Sequence, residues 1–102
     1  MKAFSVEEFG NWLGQEAAIL DTREVDSFSQ GFIPQSINIP ASSKLQEYAS
    51  LFFKKDDVLL LVANDGEEEA VAEELGKAGL KLKGFLQGGF PAWQQAGADI
   101  DM

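Results

Sequence analysis

Apolar residues form short runs along the chain, and the stretches between these runs have the spacing of amphipathic helices. Residues 58–62 are apolar throughout, which predicts a strand that is covered on both faces of a sheet. Shorter runs at residues 17–21, 37–40 and 82–86 predict further strands. Because strands that alternate with helices form βα units, we expect an α/β domain with a mostly parallel sheet of about five short strands and helices on both faces.

The first helix has an explicit start in the sequence. Ser5 and Glu8 have the S-x-x-E spacing of a capping box, in which each side chain accepts a hydrogen bond from the backbone amide of the other residue. Val6, Phe9 and Leu13 then recur at helical spacing. The pattern therefore predicts a helix that begins after Ser5 and buries this apolar face.

Similar signals mark the later helices. A helical turn is predicted at residues 24–29, and Ser43 and Gln46 have the spacing of a second capping box. The buried face predicted for the helix after that box comprises Leu45, Tyr48, Ala49 and Phe52. A further helix is predicted after Gly66. Pro91 is expected at the first position of the last helix, where the missing amide has no helical partner.

Length and charge narrow the class of protein. The chain has 102 residues, with 8 Lys+Arg against 17 Asp+Glu and a formal net charge of −9. This length predicts a single domain over residues 1–102. The last residues carry no stop signal, which is compatible with a fragment of a longer multidomain chain. Nucleic acid and anionic membranes attract clustered lysine and arginine, so neither is expected as a partner.

The composition excludes several kinds of catalytic and metal-binding chemistry, because the residues that they require are missing. The sequence contains no cysteine and no histidine, which removes disulfides, thiolate nucleophiles, imidazole bases and the usual zinc ligands. We therefore expect no metal and no cofactor. The pattern also predicts no secretory signal and no membrane span, so a cytoplasmic location is expected.

The segment after the central strand has the form of a catalytic loop without catalytic residues. A strand that leads through a loop to a helix N-terminus is where α/β domains place nucleophiles and anion sites. The loop comprises Ala63, Asn64, Asp65, Gly66, Glu67, Glu68 and Glu69. Acidic side chains in a first helical turn stabilise the helix dipole, so a solvated helix end is the simplest interpretation.

Other interpretations of this acidic loop stay open. The carboxylates can form a patch that a basic partner recognises. They can also bind a divalent cation, although their spacing lacks the D-x-D-x-D-G register of an EF-hand. Asp65 can in principle attack a phosphoryl group, but no lysine, histidine or metal motif nearby supports that chemistry.

Two ordered motifs frame the loop and carry a family resemblance. Residues 20–40 resemble the D-x-R…F…G-H-I-P-G-A-x-N-I-P segment of the rhodanese homology domain, and residues 87–97 resemble its L-x-G-G-x-x-A-W-x-x-x-G ending. The resemblance spans residues 4–99. The matching structural positions are Asp21, Arg23, Gly31, Pro34, Gly88, Gly89 and Trp93. It implies a structural pair for Asp21 and Arg23 and core packing for Trp93.

The resemblance also implies which catalytic residues are missing. In that family a cysteine at the end of the central strand takes a sulfane sulfur from a donor such as thiosulfate, and the amides of the following loop cradle the sulfur. Counting back from Gly66, the cysteine position falls on Ala63, and positions that are often basic carry Glu67 and Glu68. Phe32 stands at the position of the G-H-I-P histidine, and Gln35 stands at the position of the glycine that follows the proline of this motif.

We therefore expect a non-catalytic rhodanese-like domain that acts as an interaction, regulatory or packing module in a protein of sulfur metabolism. The expected partner is a protein or a fused domain, and no small-molecule substrate is expected. A methyl group cannot form a persulfide, and an acidic loop opposes both a thiolate and a thiosulfate-like anion. An alternative is a sulfurtransferase domain with an engineered cysteine-to-alanine change at Ala63. The glutamates weigh against it, because a single substitution leaves basic loop residues in place.

Overall fold

The computed structural model describes residues 1–102 and is built around one five-stranded sheet. The strands are β1 (Lys2–Phe4), β2 (Ala18–Asp21), β3 (Ile37–Asn38), β4 (Leu59–Val62) and β5 (Leu82–Leu86). Their order across the sheet is β1-β5-β4-β2-β3, and every neighbouring pair is parallel. The predicted α/β class with a parallel sheet is therefore confirmed.

The chain has five helices, which are α1 (Val6–Leu13), α2 (Val25–Ser29), α3 (Leu45–Phe52), α4 (Glu68–Lys77) and α5 (Gly89–Gln95). Four of them, all except α2, cover the two faces of this sheet. One apolar cluster joins β2 and β4 to α3 and α4, and a second joins them to α1 and α5. Because β4 supplies residues to both clusters, all of its side chains are buried. None of the helices has the length and apolar character needed to cross a membrane.

The first helix begins as its sequence predicts. The Glu8 amide donates to Ser5 Oγ at 3.1 Å, and the Ser5 amide donates to Glu8 Oε1 at 2.9 Å. The bond from the Ser5 backbone is the main reason why the pKa of Glu8 lies below its usual value. Phe9 on the inner face is fully buried. The capping box therefore directs the chain from β1 into the helix above the sheet.

The second predicted capping box is wrong. The N-cap of α3 is Lys44, which makes no side-chain capping bond. The Ser43 hydroxyl instead donates to the Pro40 carbonyl at 2.6 Å, and the Gln46 side-chain amide donates to Glu74 on α4. The helix begins one residue later than the box requires, so the spacing of the two side chains matches no cap.

The predicted inner face of α3 is correct at two positions and wrong at two others. Leu45 and Ala49 are buried, but Tyr48 and Phe52 are exposed. Phe53, directly after the helix, is buried in their place. The buried positions follow an i, i+4, i+8 spacing, which gives a narrow stripe where α3 lies over the sheet.

The last helix begins earlier than predicted. Gly88 is its N-cap in the left-handed conformation and Gly89 is its first residue, so Pro91 stands at the third helical position and not at the first. Proline is still tolerated there because the first amides of a helix have no helical acceptor.

Gly84 in β5 provides the first stability prediction. It pairs with Lys2 of β1, and a Cβ at this position would lie 2.5 Å from the Lys2 carbonyl oxygen and would overlap with the Phe4 ring. We expect Gly84→Ala to destabilise the fold by about 2 kcal/mol in urea unfolding, because backbone must move. Gly76→Ala is the control, since a Cβ at Gly76 in α4 meets nothing within 4 Å. Equal midpoints for both variants would contradict this account.

Candidate functional site

The candidate site lies where β2 and β4 end side by side. The two strands are in register through Asp21 and Val62, and the Thr22 amide donates to the Val62 carbonyl at 2.9 Å. Thr22 and Ala63 are therefore neighbours one residue beyond the paired strands. Ala63 is 3% exposed. This carboxyl edge is the part of a parallel sheet where ligands usually bind.

The loop that follows β4 is a tight turn on the surface. The Glu67 amide donates to the Asn64 carbonyl at 3.0 Å, which closes the turn. Gly66 has a φ of +91°, a conformation that residues with a Cβ rarely adopt. The side chains of Asn64, Asp65 and Glu67 are exposed. The loop thus keeps the compact form of a catalytic loop and presents polar and acidic side chains to solvent.

Glu68 differs from the other loop glutamates because its side chain turns back into the loop. It is 8% exposed, whereas Glu67 and Glu69 are exposed. Its Oε1 atom accepts a hydrogen bond from the Gly66 amide at 2.9 Å. A carboxylate of the chain itself therefore occupies this loop amide, and its charge repels any anion nearby.

The Gly88-Gly89 turn packs directly against the end of β4. Gly89 has a φ of +63°, and a Cβ there would lie 2.9 Å from the Ala63 carbonyl oxygen. Gly88 has a φ of +79°, and a Cβ there would lie 2.9 Å from the Ala92 Cβ. The two glycines allow the start of α5 to approach the candidate site closely.

Asp21 and Arg23 form a buried ion pair beside the site. Arg23 Nη2 lies 2.8 Å from Asp21 Oδ2 and donates to the Gly31 carbonyl at the same distance, while Nε also donates to the carboxylate. The guanidinium lies 4.3 Å from the centre of the Phe90 ring. Asn38 Nδ2 donates to the carbonyls of both members of the pair. The ion pair therefore connects the end of β2 to the following loop and to α5. Both residues thus stabilise the fold beside the site.

Gly31 and Pro34 lie in the segment that this arginine holds. A Cβ at Gly31 would come within 3.3 Å of the Phe90 and Ile100 side chains, so only a small residue fits there. Pro34 opens a turn in which the Ser36 amide donates to the Ile33 carbonyl at 3.1 Å. Both positions shape the backbone and contribute no reactive group.

Gln35 gives a prediction of the opposite sign. It follows Pro34 in this turn with a φ of +72°, in the left-handed region that favours glycine. We expect Gln35→Gly to stabilise the domain by up to about 1 kcal/mol, because the strain of a Cβ at positive φ is removed. The measurement is the urea midpoint, with Gln94→Gly in α5 as a control that should be destabilising. A lower midpoint for Gln35→Gly would contradict the assigned turn.

Trp93 lies in the core and not in the site. Its side chain is 5% exposed, and its ring meets Phe9 edge to face with centroids 6.1 Å apart. The indole Nε1 donates to the Asp99 carbonyl at 2.7 Å, which anchors the chain after α5. These contacts join α1, α5 and the C-terminal segment.

Sequence reasoning missed two features of the site. The first is Thr22, which lies beside Ala63. It is 2% exposed, and its hydroxyl has no hydrogen-bond partner. The capture of the Gly66 amide by Glu68 was also not predicted. Thr22 is the middle residue of the D-x-R motif, so the sequence could have identified it. The hydrogen bonding of its hydroxyl depends on the neighbouring strand, which the motif does not describe. The structure gathers no group of three or more Asp, Glu, His or Cys side chains that could hold a metal ion.

The sequence matches the profile of the Rhodanese-like domain over residues 5–96. No curated protein is significantly similar in sequence to the chain. Among solved structures, a rhodanese-related protein from Thermoplasma volcanium superposes with a TM-score of 0.83 at 24% identity, covering 99% of this chain and 98% of that one. The Rhodanese-like domain of an Anabaena protein superposes with a TM-score of 0.85 at 21% identity, covering 99% and 80%.

A longer enzyme contains a similar domain. The thiosulfate sulfurtransferase from Pseudomonas aeruginosa matches with a TM-score of 0.74 at 20% identity, covering 99% of this chain and 20% of that one. At these identities the likeness to solved structures concerns the fold. The match to the family profile confirms the family that the two sequence motifs predicted.

Proposed function

Because the chain belongs to the Rhodanese-like domain family, we propose that it is a member without sulfurtransferase activity that acts through its surface, as an interaction, regulatory or packing module. The observation that carries this proposal is Ala63. It is the first residue after β4, at the start of the loop, where the resemblance places the nucleophile. A sulfur transfer through this position requires a thiolate that bonds to the incoming sulfur, and a methyl group has neither a lone pair nor an ionisable proton.

No other side chain supplies a substitute nucleophile of the same kind. The chain has no cysteine at any position. Thr22 has a hydroxyl next to Ala63, but the chain has no histidine, and the nearest basic residue in sequence, Arg23, is engaged by Asp21. A hydroxyl without a base is a poor nucleophile at neutral pH. The absence of the thiol is therefore not compensated within the site.

The electrostatics of the loop support the same proposal. The Gly66 amide is taken by Glu68, and Glu67 and Glu69 add charge at the surface. Two unit charges about 4 Å apart repel each other by about 4 kcal/mol near a protein surface. The attraction of a helix end for an anion is about 0.3–1 kcal/mol at an exposed site. The loop thus disfavours a thiosulfate-like anion as well as lacking the group that would react with it.

The exposed acidic loop is best suited to binding a partner protein. Asn64, Asp65, Glu67 and Glu69 form one polar, acidic surface at the carboxyl edge of the sheet. A basic surface on a partner protein or a fused domain complements it, and charge complementarity of this kind favours specific and rapid association. A cytoplasmic role beside other proteins of sulfur metabolism belongs to the same proposal.

A thiosulfate titration tests the loop directly. Amide chemical shifts of residues 63–69 in the intact protein are followed while thiosulfate is added, with sodium chloride at matched ionic strength as the control. We expect only small, non-saturating changes that the control reproduces. A saturable shift confined to the Gly66 and Glu68 amides would contradict the proposed loss of anion binding.

A further inference from the structure

A second charged surface lies at the opposite edge of the sheet. Four lysines, half of the 8 basic residues of the chain, line one groove at the amino ends of β1, β4 and β5. They are Lys2, Lys55, Lys81 and Lys83. The groove has a volume of about 860 Å³ and is open to solvent. In a chain with a net charge of −9, this concentration of positive charge is unexpected.

These lysines have no carboxylate partners. The ion pairs within 4 Å are those of Arg23 with Asp21 and of Lys77 with Glu74. Two carboxylates also line the groove, but each accepts from a backbone amide: Glu8 from Ser5 at 2.9 Å and Asp57 from Lys54 at 2.7 Å. Four lysines against these two carboxylates leave the groove with a formal charge of +2. Because no lysine of the groove is within 4 Å of a carboxylate, its ammonium groups stay available to an anion from outside.

Three of the four ammonium groups are held near fixed features of the groove. Lys83 Nζ lies 5.2 Å from the centre of the Trp12 ring, and Lys2 Nζ lies 5.5 Å from that of Phe4. The Lys55 side chain lies against Gly79, just beyond the negative end of the α4 dipole. These contacts hold the ammonium groups at the groove. Because none of the contacts is with an anion, the ammonium groups can still bind one.

We propose that this groove binds a short acidic peptide segment of a partner protein. The open shape suits an extended chain better than an enclosed small molecule. Lysine offers compact charges on flexible stems, which tolerate the varied carboxylate geometry of an extended peptide. The one arginine, Arg23, is buried with Asp21. Exposed Asn11 and Gln15 also line the groove and provide amides for a peptide backbone.

The overall charge disfavours a long polyanion more strongly than a short acidic peptide. Nucleic acid presents a dense row of phosphates, and a protein with a net charge of −9 repels it beyond the few contacts of one groove. A peptide with several Asp or Glu residues presents fewer charges that match the four lysines. The inference concerns a surface remote from Ala63, so it stands or falls separately from the loss of catalysis at that residue.

The test uses a fluorescein-labelled peptide of glutamate residues and fluorescence polarisation with the intact protein at low salt. The groove variant is Lys81→Glu with Lys83→Glu, and the matched control is Lys44→Glu with Lys54→Glu. The control changes the net charge equally at exposed lysines outside the groove. We expect the groove variant to bind about 10-fold more weakly and the control to stay within about 2-fold of the parent.

Three results would overturn the proposal. They are absence of binding to the parent protein, equal weakening in both double variants, and groove binding by inorganic triphosphate without binding by the peptide. Circular dichroism of each variant verifies that the fold is retained. Turnover of thiosulfate is measured separately, so failure of this inference leaves the proposed loss of catalysis untouched.

Discussion

Replacing Arg23 by alanine is expected to destabilise the domain by about 3–5 kcal/mol, a large part of the stability of a domain of this size. The Asp21 carboxylate is fully buried, and Arg23 is its ion-pair partner at 2.8 Å. Removing the guanidinium leaves a buried charge without its partner and the Gly31 carbonyl without its donor. The same change removes the cation that packs on Phe90 of α5.

The measurement is the free energy of unfolding in urea at pH 7. Lys77→Ala is the matched control, because Lys77 and Glu74 form an ion pair that is 3.5 Å long with both side chains about half exposed. That variant should lose at most about 0.5 kcal/mol. If both substitutions have the same small effect, the pair of Asp21 and Arg23 does not hold the carboxyl edge together as described.

Introducing the missing thiol with Ala63→Cys is expected to leave turnover of thiosulfate and cyanide at background. The thiol would enter a nearly buried position, and burial disfavours the thiolate. The Gly66 amide is already engaged by Glu68, so it cannot stabilise negative charge on sulfur. A second substitution, Glu68→Ala, frees that amide and should raise the alkylation rate of the new thiol at pH 7 about fivefold or more.

The control for this experiment is Ala63→Cys combined with Glu69→Ala. Glu69 is exposed in the same helical turn, so the net charge changes equally while the Gly66 amide stays engaged. Because the chain itself contains no cysteine, alkylation by iodoacetamide reports on the introduced thiol alone. Equal alkylation rates in the two double variants, or full sulfurtransferase activity in Ala63→Cys itself, would refute the electrostatic part of the account.

Local patterns predicted most of the fold because they describe contacts between residues close in sequence. The capping box of Ser5 and Glu8 forms as expected, and the apolar run of β4 is buried on both faces. The strand β1 was not predicted, since it has three residues and buries only Phe4. Its pairing with β5 depends on Gly84, which is distant in the sequence.

The errors and omissions arise where tertiary contacts decide the outcome. Tyr48 fits the helical spacing but is exposed. The stripe of α3 that contacts the sheet is narrower than the full set of apolar residues on this helix. Ala63 was identified by counting along a motif, which needs no structure. Whether Glu68 points to solvent or into the loop depends on side-chain geometry that spacing does not encode. The grouping of the groove lysines depends on the order of strands in the sheet.

The most direct test of the central claim is the sulfurtransferase assay on the unmodified protein, with thiosulfate as donor and cyanide as acceptor. The chain has alanine at position 63 and no cysteine anywhere, so no persulfide can form on it. We expect thiocyanate to form at the rate of the protein-free reaction at every protein concentration. A rate above that background that rises in proportion to protein concentration would contradict the account.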